Sequence, residues 1–269
     1  MSPFIKYVKP LADFTLTLIC WTYFTLGYII LFFPFYIGTF LFSRNRERTF
    51  QRLNHLFYRG FFLLIRFITP KLSFYIQDQV LSIRSSVIIS NHVSYLDPIL
   101  LISLYEKQKT IVKSIFFRLP IFGWVLKNSG YLPSTTGEEF NVLMLEQIEG
   151  MERYLASGGN LFVFPEGTRS RDSRIGRFNK GVFKIAKRCR APIKVLFIQN
   201  TDRLFRPGKF LFNTCIPNTI KIELLGDIIP DYRRASSGIS NLMAEAQDLM
   251  EARQRINIGM SESGRSKKT

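Results

Sequence analysis

Val87-Ile88-Ile89-Ser90-Asn91-His92-Val93-Ser94-Tyr95-Leu96-Asp97-Pro98-Ile99-Leu100-Leu101-Ile102 changes its structural character part-way along. Val87, Ile88 and Ile89 are β-branched, and such residues pack well on a pleated surface, so the stretch begins as a strand. Asp97-Pro98 ahead of an apolar run is a helix-start signal. Asp suits the cap, and Pro suits the first helical position, where its missing N–H is no loss. A strand that passes into a helix through a short polar loop is a building element of an α/β fold. His92 stands in that loop, where the strand ends.

The same alternation extends outward from residue 72. Strands are predicted at 72–76, 86–89, 110–112, 160–164, 193–198 and 219–225. In the last, Ile220, Ile222 and Leu224 alternate with Lys221 and Glu223, which gives one buried face and one wet face. Helices are predicted at 98–106, 138–156, 179–188 and 238–256. In the second of these, Phe140, Leu143, Met144, Ile148, Met151 and Leu155 keep helical spacing and read as core. The expected fold is α/β, with a mixed, mostly parallel sheet flanked by helices. No internal repeat is present.

Ahead of this domain, residues 14–42 carry no charged side chain, and Gly27, Pro34 and Gly38 interrupt the run. A bilayer core needs about 20 apolar residues as helix. One tilted, kinked span suits the run, as do two shorter embedded helices or, less well, a buried core helix. The run is about twice the length of a signal-peptide apolar region. Ser43-Arg44-Asn45-Arg46-Glu47-Arg48 follows it, whereas only Lys6 and Lys9 supply positive charge before it. That excess assigns the following side to the cytoplasm. A helix is predicted over 51–69, with Arg52, Arg59 and Arg66 on one face and Leu53, Leu56, Phe57, Phe61, Leu64 and Ile68 on the rest. Such a face suits a lipid interface, or a helix docked on the core with its arginines in water. The expected organisation is a membrane-embedded or interfacial segment at 1–69, the α/β domain at 70–258 and a disordered basic tail at 259–269.

The 269-residue chain carries a formal charge of +17 and 26 phenylalanines. That charge implies an anionic partner. No nucleic-acid motif accompanies it, and arginines beside an apolar run suit an anionic membrane surface better. Cys20, Cys189 and Cys215 are scattered, which excludes a disulfide framework, and with only two histidines no metal site is expected.

The candidate chemistry lies in two motifs. In Asn91-His92-Val93-Ser94-Tyr95-Leu96-Asp97, a turn brings Asp97 back toward His92. A carboxylate on one imidazole nitrogen would leave the other free as a base. The alternative is a helix cap beside a turn histidine. In Phe164-Pro165-Glu166-Gly167-Thr168-Arg169-Ser170, Pro165 ends a strand and Gly167 permits close backbone approach. Arg169 presents a planar donor fork suited to phosphate, and Glu166 would hold that arginine or accept from a hydroxyl. The alternative is an ordinary strand-to-loop turn. Ser94 reads as a turn-stabilising hydroxyl, since no G-x-S-x-G elbow is present.

The two motifs, in this order and separation, resemble the glycerolipid acyltransferase family typified by 1-acylglycerol-3-phosphate acyltransferases. That family carries an Asn-His-x4-Asp and a Phe-Pro-Glu-Gly-Thr-Arg-Ser motif. The resemblance covers roughly residues 70–230. It implies a membrane-bound enzyme that moves an acyl group from acyl-CoA or acyl carrier protein to a lysolipid hydroxyl, with no resident cofactor. It implies His92 as general base, Asp97 as its partner, and Glu166, Gly167, Thr168 and Arg169 at the acceptor phosphate. Two departures bear on the acceptor. Thr136 stands where the family's Gly-x5-Arg motif ends in Arg, and Val195 replaces the second proline of a later strand. Lys113, Arg118 and Lys180 are the candidates to supply the missing positive charge. Alternatively, the acceptor is a lyso-aminolipid, a glycolipid or a non-phosphorylated alcohol.

Overall fold

The computed structural model describes residues 3–134, 141–170, 174–234 and 238–266. Thr136 and Phe140 lie outside them. The elements run α1 (Pro3–Thr22), a π-helical stretch (Tyr23–Phe32), α2 (Phe33–Phe42), α3 (Arg46–Ile68), β1 (Leu72–Ile76), α4 (Asp78–Leu81), β2 (Val87–Ser90), α5 (Leu96–Leu104) and β3 (Gln108–Lys113). After a 3-10 turn (Ser114–Arg118) come α6 (Pro120–Asn128), β4 (Leu132–Ser134), α7 (Asn141–Glu149), α8 (Met151–Ala156) and β5 (Asn160–Val163). The remainder is α9 (Gly181–Arg188), β6 (Ile193–Gln199), α10 (Thr201–Leu204), β7 (Asn218–Ile228) and α11 (Ile239–Ser266). The fold is α/β, with seven strands in a mixed, mostly parallel sheet flanked by helices.

Every predicted strand is present. β4 and α6 were not expected, because three residues around Pro133 and nine residues opening at Pro120 are too short to show a period. The helix predicted over 138–156 is two helices, which part at Gly150, a poor helix former. α11 is helical through Ser266, past the point at 259 where the sequence suggests a disordered tail.

Compactness divides the chain into two interleaved units. Unit 1 comprises Met1–Tyr75, Ser94–Gly150 and Gln199–Lys221; unit 2 comprises Ile76–Val93, Met151–Ile198 and Ile222–Thr269.

In unit 1, α1, the π-helical stretch and α2 follow one another without a break. Val8–Phe42 is one run of 35 residues, long and apolar enough to cross a membrane. Leu11, Leu26, Ile30, Phe35 and Leu41 are exposed along it, and Phe42 is 85% exposed. That is unlike a buried core helix. The run is nevertheless anchored to its unit. Asp13 accepts hydrogen bonds from the backbone N–H (2.8 Å) and hydroxyl (2.7 Å) of Thr214, and Thr17 Oγ1 accepts from Phe212 N–H. Tyr23 donates its hydroxyl to the Phe57 carbonyl at 2.7 Å. Gly60 on α3 leaves room for this side chain, because a Cβ at that position would lie 2.5 Å from the Tyr23 hydroxyl oxygen.

α3 is docked, with its arginines outward. It opens on Asn45, whose side chain accepts from Arg48 N–H, and buries Phe50, Phe57, Phe61 and Ile65 together with three polar residues, Gln51, Asn54 and His55. Arg52, Arg59 and Arg66 are exposed and are interspersed with exposed Leu56, Leu63 and Phe67. The buried polar groups are paired, as burial demands. Tyr36 donates to Asn54 Oδ1 at 2.6 Å, and Asn54 Nδ2 donates to Ser129 Oγ at 2.8 Å and to Tyr131 Oη at 3.3 Å. Tyr131 in turn donates to Gln108 Oε1. Around this network Tyr36, Phe50 and Val125 form a small core, joined by half-buried Phe40 and Trp124. We therefore expect Asn54→Ala to cost about 1–3 kcal/mol, because it strands buried donors and acceptors. Arg52→Ala, at an exposed site, should stay within about 0.5 kcal/mol. Thermal unfolding of the two variants side by side checks both.

In unit 2, β2 is the middle of three parallel strands. Val87 pairs with Leu161 of β5 on one side and with Ile193 of β6 on the other. β2 is buried along its whole length, so it reads as a continuous apolar run and not an alternating one. Asn160 fastens the entry of these strands. Its Oδ1 accepts from Ser86 N–H and its Nδ2 donates to the Ile83 carbonyl. α9 covers the unit with Val182, Phe183, Ile185 and Ala186. α11 adds buried Leu242, Ala246 and Met250, and Arg253 on α11 pairs with Glu223 at 2.7 Å.

Candidate active site

β2 and β5 run parallel with Ile89 beside Val163, so the chain leaves both strands at the same end. His92 follows β2, and Phe164 to Ser170 follow β5. In parallel α/β sheets ligands bind outside the carboxyl ends of the strands, where the chain order reverses. β2, flanked by β5 and β6, is such a place within unit 2.

Three devices fix the loop that carries His92. Asn91 is buried and binds β6 through both ends of its amide. Nδ2 donates to the Ile198 carbonyl at 2.9 Å, and Oδ1 accepts from Ile198 N–H at 2.7 Å. The side chain thus continues the ladder after the β2 backbone has turned away. His92 N–H donates to Glu166 Oε1 at 3.2 Å, and the His92 carbonyl accepts from Ser170 N–H at 2.8 Å. Finally, the imidazole stacks on Phe164, with 4.3 Å between ring centroids and 23° between planes. The ring is half-buried and held in orientation.

The second motif is a tight turn. Gly167 N–H donates to the Phe164 carbonyl at 3.0 Å, with Pro165 at the second position, where its fixed φ is favourable. Gly167 has φ +68°, a left-handed backbone that suits glycine, and a Cβ there would meet nothing within 4 Å. Glycine is therefore required by conformation and not by space. Glu166 spans two loops, accepting from His92 N–H and, through Oε2, from Gly176 N–H at 2.8 Å. These bonds give it a scaffolding role that the motif alone did not reveal. Thr168 is exposed and Arg169 half-buried. Asn179 N–H donates to the Pro165 carbonyl at 2.8 Å, which ties the start of α9 to the turn and brings exposed Lys180 into the same loop cluster. Unit 2 thus gathers His92, Glu166, Gly167, Thr168, Arg169 and Lys180.

Asp97 and Lys113 belong to unit 1. Asp97 is completely buried. It does not occupy the cap position that Asp-Pro suggested, because α5 opens at Leu96 and places Asp97 in the first turn. The carboxylate folds back instead. Oδ2 accepts from Ser94 N–H at 2.7 Å, and Oδ1 accepts from the Thr201 hydroxyl at 2.5 Å. Ser94 Oγ accepts from Leu96 N–H and donates to the Phe205 carbonyl, so its hydroxyl serves the turn. Burial raises the pKa of neighbouring Asp202 above the usual carboxylate value, with a further push from the Asp97 charge. Lys113, at the end of β3, and Arg118 are exposed.

Asn91, Phe164 and Thr201 escaped sequence reasoning as site residues. Asn91 and Phe164 lay inside the quoted motifs as spacers. Thr201 lies far along the chain and carries no motif. The second histidine, His55, is a packing residue. It is buried on α3 with Nδ1 3.2 Å from the Ile102 carbonyl oxygen, and desolvation holds its pKa below the ordinary value.

Residues 71–198 match the acyltransferase family model. Through these residues the chain is similar to the acyltransferase family. It is 34% identical over 125 residues to a chloroplastic 1-acyl-sn-glycerol-3-phosphate acyltransferase of Brassica napus, covering 45% of this chain and 35% of that protein. It is 30% identical over 141 residues to the 1-acyl-sn-glycerol-3-phosphate acyltransferase of Saccharomyces cerevisiae, covering 51% and 46% respectively. The chain therefore spans less than half the length of either relative. In fold it is similar to the crystal structure of PlsC, the 1-acyl-sn-glycerophosphate acyltransferase of Thermotoga maritima. That likeness has a TM-score of 0.70 at 19% identity and covers 92% of this chain and 96% of that one.

Proposed function

We propose that this chain moves a fatty acyl group from a thioester, acyl-CoA or acyl carrier protein, to the hydroxyl of a lysophospholipid, 1-acyl-glycerol-3-phosphate. The observation that carries the reading is the fixed imidazole of His92. It sits at the carboxyl end of the central parallel strand, stacked on Phe164 and joined through its backbone to the turn that bears Arg169. The names of the relatives point to the same acceptor.

In this reaction His92 takes the proton of the acceptor hydroxyl, and Asp97 orients it and balances the imidazolium. The hydroxyl oxygen attacks the thioester carbonyl, the C–S bond breaks, and the thiolate takes up a proton. Arg169, with Lys180, Lys113 and Arg118 as further cations, receives the acceptor phosphate. Glu166 holds the His92 loop against the turn. The apolar run Val8–Phe42 and the alternating arginine and apolar face of α3 support a setting at the cytoplasmic face of an anionic membrane, where such an acceptor resides.

Thr136, standing where the family has arginine, favours a second reading with the same chemistry and an acceptor that lacks phosphate. A panel of lysophosphatidate, lyso-aminolipid, glycolipid and monoacylglycerol, each offered with labelled acyl thioester in vesicles, separates the two. The primary reading expects lysophosphatidate to be acylated best. Acylation of phosphate-free acceptors alone would replace it with the second.

A further inference from the structure

A cavity of about 580 Å³ opens in unit 2 at the opposite end of the strands from His92. Ser86 stands just before β2 and Pro192 just before β6, and both line it. Its size falls within the range of small-molecule sites. Three cations line it, Arg84, Arg190 and Lys194, against one carboxylate, Asp227. Lys194 pairs with Asp227, which leaves the two arginines as surplus charge. Arg84 is held in place, since its Nη1 donates to the Leu81 and Ile83 carbonyls at 2.9 and 2.7 Å. Ile83, Leu224 and Ile229 supply an apolar wall.

Backbone conformation singles out the same rim. Ser85 (φ 56°) and Arg190 (φ 48°) both line the cavity, and both adopt the left-handed region that favours glycine. Arg190 closes α9, with its N–H on the Lys187 carbonyl and Ala191 N–H on the Ala186 carbonyl. Glycine is the usual residue at such a helix end. An arginine there sacrifices stability, and strained non-glycine residues gather at functional sites.

We propose that this cavity is a second ligand site, separate from the acyl-transfer site, for a small phosphate monoester with a short apolar group. The arginine forks take the phosphate, and the Ile83, Leu224 and Ile229 wall takes the apolar part.

The test is calorimetric titration of the full chain in detergent with butyl phosphate, inorganic phosphate and butanol, repeated on Arg190→Gly and Arg169→Ala. Arg190→Gly relieves the left-handed strain, so its unfolding temperature should equal or exceed that of the parent. Butyl phosphate should bind more tightly than inorganic phosphate, and butanol should not bind. Arg190→Gly should weaken butyl phosphate about tenfold or more, as expected for the loss of a charge-assisted contact. Arg169→Ala should keep the binding that Arg190→Gly weakens, which separates this site from the proposed acceptor site. The proposal is overturned by unchanged binding in Arg190→Gly, by binding that disappears only in Arg169→Ala, or by no binding of butyl phosphate to the parent.

Discussion

His92→Ala lowers the rate of acyl transfer by about 10²–10⁴-fold, the usual contribution of a positioned general base. The fold survives this substitution. The two backbone bonds of residue 92, to Glu166 Oε1 and from Ser170 N–H, do not involve the imidazole, and Asn91 keeps its grip on Ile198. The stacked contact with Phe164 is lost. The loss should therefore fall on kcat, with vesicle binding and unfolding temperature close to those of the parent. Initial rates with labelled thioester, measured beside a vesicle sedimentation assay, check both. Wild-type turnover by His92→Ala would remove His92 from the chemistry.

Asp97→Asn is the second large effect, and it separates charge from scaffold. The carboxylate accepts from Ser94 N–H and from the Thr201 hydroxyl. Asparagine keeps its amide oxygen toward Ser94 N–H, and the threonine hydroxyl turns to accept from the new NH2 group. The loop is thus preserved and the negative charge is gone. The expected result is a kcat loss of the same order as for His92→Ala, about 10²–10⁴-fold, with little change in stability. Asp97→Ala also loses stability, by about 1–3 kcal/mol for each buried donor left without an acceptor. Denaturant unfolding of the two variants beside their kinetics distinguishes these outcomes. Full activity in Asp97→Asn would reduce Asp97 to a loop-building residue.

Local signals made much of this fold legible. Val87, Ile88 and Ile89 announced a buried strand, Ile220 and Ile222 alternated as a half-buried strand should, and the arginine spacing on α3 marked its exposed face. Long-range contacts were not legible. α3 suited either lipid or core, and the decision lay with Gln51, Asn54 and His55, whose polarity concealed their burial until their partners across unit 1 were known. The interleaving of the two units leaves no mark in composition, because each unit draws on three separated stretches. At the site, spacing exposed His92, Asp97 and Arg169. Thr201 was hidden because its partner Asp97 is distant in sequence, and the cap position that Asp-Pro suggests for Asp97 shifts into the first turn because α5 opens at Leu96.

The most direct measurement follows both products of one reaction. The purified protein in anionic vesicles is given 1-acylglycerol-3-phosphate and a radiolabelled acyl thioester, and free thiol and labelled diacyl product are counted together. Equal amounts of the two are expected, both lost in His92→Ala. Thiol release without labelled diacyl product would contradict it, since the enzyme would then pass the acyl group to water and not to a lipid hydroxyl.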